Sequence, residues 1–264
     1  MIETIWPLFM FILGSMIGSF LNVCIVRMPQ ERSIVFPRSH CVHCQKQIAW
    51  YDNIPFVSYL VLRGKCRFCK KPISFRYFLV EFITAVFFLG FYLYFGLNGQ
   101  LFAYLVLVCG LIVATFVDLE HRIIPDEISV GGMVVGFILS CALPQLHNTN
   151  SHLVAMGQSA LGILVGGGTI YAMGLLGDLI FKKESMGGGD VKFLAMIGAF
   201  LGWKMAVATF FIAPIFGAVA GIIVKIRTKE SVIAYGPFLA LGALISLFWS
   251  GPLIEWFLSG YGLY

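Results

Sequence analysis

The stretch LFAYLVLVCGLIVATFVDLE, residues 101–120, decides the class of fold, because an uncharged apolar run ends there in a carboxylate. A helix over residues 101–117 reaches most of the way across a bilayer, at about 1.5 Å per residue. An ionisable side chain at the edge of such a segment is costly, so a functional role for Asp118 is the first hypothesis. The alternative is an interfacial Asp that caps a helix or reaches back to water.

The composition of the whole chain agrees with a membrane protein. Hydrophobic residues make up 59% of the 264 residues and charged residues only 12%, whereas a soluble domain carries about 25% charged residues. The mean hydropathy is +0.90. Uncharged or nearly uncharged runs recur along the chain, at residues 4–26, 77–97, 101–117, 128–146, 153–181, 191–203, 205–224 and 231–254.

These runs predict an all-α polytopic membrane protein with about eight transmembrane helices. The first run is too long for a signal-peptide core and lacks a cleavage site, so we expect it to remain as a helix. The run at 191–203 is short, and predicts either a half-helix or a full helix that begins in the preceding glycines. We divide the chain into transmembrane helix 1 (1–26), a cytoplasmic segment (27–76) and a transmembrane core (77–264).

Basic residues predict the orientation. Ten of the 18 Lys and Arg lie between Arg27 and Arg76, and basic loops stay in the cytoplasm. Alternating crossings then put seven more on the same side: Arg122, Lys182, Lys183, Lys192, Lys225, Arg227 and Lys229. Only Lys204 falls opposite, so both termini should face outward. Topology and anionic lipid explain the net charge of +5, so nucleic acid need not be invoked as a partner.

A second carboxylate, Asp190, follows a glycine run in Met186-Gly187-Gly188-Gly189-Asp190. The predicted topology puts Asp118 and Asp190 at the same cytoplasmic membrane edge. Two carboxyl groups brought together can divide the roles of base and acid in hydrolysis by water. The glycines would permit close backbone approach to a substrate and an unusual turn. Alternatively, they form a flexible helix start.

Four cysteines in the polar segment form two C-x2-C pairs, Cys41 with Cys44 and Cys66 with Cys69. Two such knuckles can supply four thiolates to a tetrahedral zinc ion. A cytosolic location argues against disulfides. A segment of about 50 residues builds only a small core, so a structural zinc would supply folding free energy.

Two acidic residues inside predicted helices, Glu81 and Asp178, could belong to a substrate or other functional site, or be structural. No glycine-rich loop follows a strand, so the sequence assigns no cofactor-binding residue.

Motifs along nearly the whole chain resemble one family, the bacterial type IV prepilin peptidases (leader peptidase/N-methyltransferases). These motifs are Gly18-Ser19-Phe20-Leu21-Asn22-Val23, Pro37-Arg38-Ser39-His40-Cys41, Trp50-Tyr51-Asp52-Asn53-Ile54-Pro55, Leu62-Arg63-Gly64-Lys65-Cys66, Ile73-Ser74-Phe75-Arg76-Tyr77, the two aspartate motifs, Gly198-Ala199-Phe200-Leu201-Gly202-Trp203 and Tyr235-Gly236-Pro237-Phe238-Leu239-Ala240. Two departures are minor: Val42 stands where proline is usual, and Gly188 where a larger residue is common.

The resemblance implies an aspartic protease of the bacterial inner membrane. It would cleave the leader of type IV prepilins or type II secretion pseudopilins and methylate the new N-terminal amine, with S-adenosylmethionine as the donor. The resemblance also makes Asp118 and Asp190 the catalytic pair. The methyltransferase assignment rests on the resemblance alone, and the sequence leaves the oligomeric state open.

Two other classes fit parts of the sequence. A proton- or cation-coupled transporter with a structural zinc cap explains the intramembrane acids, but not why Asp118 and Asp190 share one edge. A non-enzymatic assembly factor could use the cysteine segment for binding, but the intact Asp pair counts against it.

Overall fold

Helices form nearly all of the regular structure in the computed structural model, which describes residues 2–182, 186–228 and 233–260. The long helices are α1 (Ile2–Arg27), α3 (Phe75–Phe95), α4 (Gly99–His121), α5 (Asp126–Ala142), α6 (His152–Phe181), α7 (Gly188–Leu201), α8 (Trp203–Thr228) and α9 (Gly236–Gly260), with the short α2 (Val57–Val61) between α1 and α3. The described ranges contain no strand, only two isolated β-bridges. The all-helical prediction is therefore confirmed.

Within the described residues, five helices are long and apolar enough to cross a membrane: α1, α3, α4, α6 and α8. The eight predicted runs coincide with α1 and α3–α9, but eight crossings are not confirmed. Helix α7 has 14 residues, and the apolar part of α9, Gly236–Trp249, is also short. Lys183, Lys229 and the first two residues of the run at 231–254 lie outside the described residues.

Local signals in the sequence set several helix ends. The hydroxyl oxygen of Ser74 accepts from the Arg76 N–H at the start of α3, and that of Ser151 accepts from the Val154 N–H at the start of α6. Such side chains satisfy N–H groups that have no partner within the helix. Gly202, with φ +79°, separates α7 from α8, a conformation that glycine adopts without strain.

The chain divides into two compact units, Met1–Val113 and Ala114–Tyr264. In the first, α1 packs closely on α3 through small residues. A Cβ on Gly14 or Gly18 would come within 2.9 Å of α3 atoms, as in close helix pairs of membrane proteins. The Asn22 side-chain amide donates to the Tyr77 carbonyl oxygen (3.0 Å) in the same interface.

In the second unit, α7 is the central helix. Its residues 193–201 are all buried, and it packs on α5, α6, α8 and α9. The backbones of α6 and α7 touch where Gly162 faces Gly198. The hydroxyls of Ser140 and Ser159 both donate to the Ala199 carbonyl oxygen, at 2.9 and 2.7 Å. These contacts fix α7, and with it Asp190 in its first turn.

Candidate active site

Asp118 lies in the last turn of α4 and is only 5% exposed. The helix ends three residues later, at His121, and the Arg122 N–H donates to the Asp118 carbonyl oxygen at 2.8 Å. The chain then runs through buried Ile124 and Pro125 into α5. The long apolar run therefore ends in a buried carboxylate.

Asp190 lies in the first turn of α7, ahead of the apolar residues of that helix. The three glycines before it have no positive φ among them, so they open the helix and do not form an unusual turn. A Cβ on Gly189 would lie 3.4 Å from Cβ of Ile124. The start of α7 therefore packs on the segment that follows Asp118.

The two carboxyl groups are close enough to interact. Burial, joined by the negative charge of Asp118, raises the pKa of Asp190 to about 6, and a hydrogen bond with the Gly187 backbone opposes this rise. Such a pair can hold one proton and supply both a base and an acid.

The start of α9 forms a third part of the site, to which the sequence analysis gave no role. The Gly236 N–H donates to Oδ2 of Asp118 at 2.7 Å. Half-buried Tyr235 precedes it, and burial, with the charge of Asp190, raises the pKa of the Tyr235 hydroxyl to about 12. The sequence signal that could have drawn attention to this segment is the Gly236-Pro237 pair at the start of an apolar helix.

The four predicted metal ligands lie together in the first unit. The sulfur atoms of Cys41, Cys44, Cys66 and Cys69 are all within 4.8 Å of one another, and Sγ of Cys41 lies 3.8 Å from Sγ of Cys69. Tetrahedral zinc with Zn–S bonds of about 2.3 Å holds its sulfurs about 3.8 Å apart. The cluster therefore fits a metal ion with four thiolate ligands.

The two knuckles repeat the same backbone structure. The Cys41 N–H donates to the Lys46 carbonyl oxygen and the Cys66 N–H to that of Lys71, both at 2.9 Å. Gln45 and Lys70, one residue after the second cysteine of each knuckle, both have φ +58°. Two equivalent turns thus bring the two cysteine pairs together at one site.

The other two acids that the sequence singled out have different settings. Glu81 on α3 is buried, and its Oε2 accepts the Phe56 N–H at 3.1 Å. Phe56 has φ +61°, so this bond stabilises a backbone conformation that residues other than glycine rarely adopt. Asp178 on α6 is exposed. A structural role therefore accounts for Glu81.

Two family models match the chain. The Bacterial Peptidase A24 N-terminal domain covers residues 12–95, and the Type IV leader peptidase family covers residues 105–222. No solved structure gives a significant match.

Curated relatives carry the name prepilin leader peptidase/N-methyltransferase. The protein of Legionella pneumophila is 33% identical, over 97% of this chain and 96% of its own length, and that of Pseudomonas aeruginosa is 33% identical, over 95% and 93%. The protein of Myxococcus xanthus is 40% identical over 86% of this chain, which spans 65% of that protein. These names do not support the transporter alternative.

Proposed function

The chain belongs to the type IV leader peptidase family, and from this we propose that it cleaves the leader of type IV prepilins or type II secretion pseudopilins and methylates the new N-terminus. The observation that carries the proposal is the buried Asp118 beside Asp190, with the charge of one felt by the other. The names of the relatives support both activities.

Asp118 and Asp190 are the proposed catalytic pair. One carboxylate takes a proton from water as the water oxygen bonds to the scissile carbonyl carbon. The other, protonated, polarises the carbonyl oxygen. When the C–N bond breaks, the proton taken from water passes to the leaving amine. Both side chains lie where an apolar helix begins or ends, which is the level at which a membrane-bound substrate meets water.

The proposed location is the bacterial inner membrane, with eight crossings by α1 and α3–α9. The basic residues then place the cysteine segment and both aspartates at the cytoplasmic face. Helix α7, about 21 Å long, is shorter than the hydrocarbon core, but its neighbours surround it, and Asp190 stands in its polar first turn. Anionic lipid is the expected partner of the basic segment, and we expect no nucleic-acid partner.

Cys41, Cys44, Cys66 and Cys69 would hold a structural zinc ion. Bound zinc would supply folding free energy to a segment with few buried residues. Four thiolates fill a tetrahedral site, so no position is left for water or substrate.

S-adenosylmethionine is the proposed methyl donor, a co-substrate of the second reaction. The described residues contain no strand, so they offer no Rossmann-type donor site. No residue is assigned to donor binding.

Co-expression with a prepilin tests the function. Mass spectrometry of the pilin should find the leader removed and one methyl group on the new N-terminal amine. A pilin that keeps its leader beside well-expressed protein would contradict the proposal.

A further inference from the structure

The contacts of the two aspartates differ, and the difference lies at the start of α9. Gly236 is the first residue of a 25-residue helix, and its N–H, 2.7 Å from Oδ2 of Asp118, is buried. The first N–H groups of a helix have no partner within it and carry its positive dipole end. The backbone of Tyr235 also lies close to the Asp118 carboxylate.

We propose that the Tyr235–Gly236 segment positions Asp118 as the ionised member of the pair, so that Asp118 is the base and Asp190 the acid. This assignment rests on the proposed function and deepens it. An ionised carboxylate accepts several hydrogen bonds and donates none, and N–H donors favour that form. Burial acts on both carboxyl groups. At Asp190 the negative charge of Asp118 adds to burial in favouring the protonated form, and a hydrogen bond with the Gly187 backbone opposes them.

The size of residue 236 is part of the contact. A Cβ at Gly236 would lie 2.9 Å from Oδ2 and 3.3 Å from Cβ of Asp118. The carboxylate would have to move away from the N–H to make room. Gly236 is therefore a positioning residue that acts through Asp118.

The resulting steps balance. Asp118 takes a proton from water as the water oxygen bonds to the carbonyl carbon, and the Asp190 proton passes to the carbonyl oxygen. When the C–N bond breaks, Asp118 gives its proton to the leaving nitrogen, and Asp190 recovers one from a hydroxyl of the intermediate. The pair returns to its starting state without another reactant.

The test is the cleavage of a prepilin by the purified full-length protein as a function of pH. The groups that face Asp118 from other elements are Asp190 of α7 and Tyr235 ahead of α9. Glu120, His121 and Arg122 follow it as exposed residues, and Asp126 pairs with Lys192 at 2.8 Å. None of these side chains changes in Gly236→Ala or in Gly242→Ala.

For Gly236→Ala we expect kcat to fall about 100-fold, the usual effect of one lost donor at a reacting centre, with KM little changed. Because the base loses its donor, the acidic limb of the pH profile should move to higher pH while the alkaline limb stays. If Asp118 were the acid, the alkaline limb would move instead. That outcome, or wild-type kcat, would overturn the inference.

Gly242→Ala, in the same helix, is the matched control. Its Cβ would lie 3.1 Å from the Thr209 carbonyl oxygen of α8, so it disturbs packing without touching Asp118. We expect a lower thermal midpoint, with kcat reduced far less than in Gly236→Ala and with neither limb of the pH profile moved. Wild-type protein that does not cleave prepilin would refute the proposed function itself, a different outcome from either result with Gly236→Ala.

Infrared spectroscopy provides a second test if Gly236→Ala does not fold. The isosteric Asp190→Asn should lose one protonated-carboxyl C=O band relative to wild-type protein at about pH 5, below the pKa of about 6 of the Asp190 carboxyl. No loss of such a band would mean that Asp190 is not the acid.

Discussion

At the scale of single residues, hydrogen bonding and charge set the two carboxylates apart, because burial acts on both. Asp118 is buried against a backbone donor, whereas the pKa of Asp190 rises from 3.8 to about 6 through burial and the charge of Asp118. An acid with a raised pKa in the folded state binds its proton more tightly there than in the unfolded chain. Its ionisation therefore destabilises the fold.

We predict that Asp190→Asn stabilises the protein at neutral pH. The free energy of unfolding contributed by Asp190 falls as pH rises from 3.8 to about 6 and is constant above, because only the folded state keeps the proton in that window. The full loss is at most about 3 kcal/mol. Thermal midpoints in detergent should be higher for Asp190→Asn above about pH 6, and the gain should vanish near pH 4.

Asp126→Asn is the control for this comparison. Asp126 is exposed and pairs with Lys192 at 2.8 Å, and a surface pair contributes under about 1 kcal/mol. The thermal midpoint of Asp126→Asn should stay close to that of wild-type protein at every pH. If the thermal midpoint of Asp190→Asn at neutral pH is at or below that of wild-type protein, burial and the charge of Asp118 do not destabilise the ionised Asp190 carboxylate.

At the scale of elements, the position of Asp190 depends on how closely α7 approaches α6. A Cβ on Gly162 would overlap the carbonyl group of Gly198, and one on Gly166 that of Leu194. Such overlap with backbone cannot be relieved by turning a side chain. Gly162 and Gly166 of α6 therefore determine how closely α7 packs against α6.

We predict that Gly162→Ala destabilises the protein by roughly 1–3 kcal/mol through overpacking and slows cleavage, because Asp190 moves with α7. Gly168→Ala in the same helix is the matched variant, since nothing lies within 4 Å of its Cβ. It should keep activity and gain up to about 1 kcal/mol from helix propensity. Thermal midpoints and cleavage rates of both decide the matter. Equal thermal midpoints and cleavage rates in Gly162→Ala and Gly168→Ala would refute the close approach of α6 and α7.

The two cysteine knuckles are the other element with a testable role. We predict about one zinc ion per chain, lost in Cys66→Ser and kept in Cys141→Ser, whose cysteine lies on α5 and is not one of the four clustered cysteines. Metal analysis of purified protein measures the zinc content, and proteolysis of residues 27–76 reports loss of folding free energy. Zinc-free protein that still cleaves prepilin would contradict a structural metal.

At the scale of the whole molecule, hydrophobic runs in the sequence predict the helices because burial in lipid requires long apolar segments. The positions of both aspartates at helix ends could be predicted for the same reason. The number of membrane crossings could not be predicted in this way, because α7 is short and is buried among neighbouring helices. The Gly236–Asp118 contact joins residues 118 positions apart, and only packing of α9 brings them together. Local sequence carries no signal for such a pairing.

The central claim is that Asp118 and Asp190 cleave the leader, and one assay tests it most directly. Purified Asp118→Asn and Asp190→Asn are each given a prepilin and, separately, a mature unmethylated pilin with labelled methyl donor. An amide neither ionises nor donates the acid proton, so cleavage should fall by at least about 100-fold, while Asp126→Asn stays active. Both mutants should still label mature pilin, because methyl transfer needs only the amine and the donor. Substantial cleavage by either mutant would contradict the account, since that aspartate would then lie outside the catalytic pair.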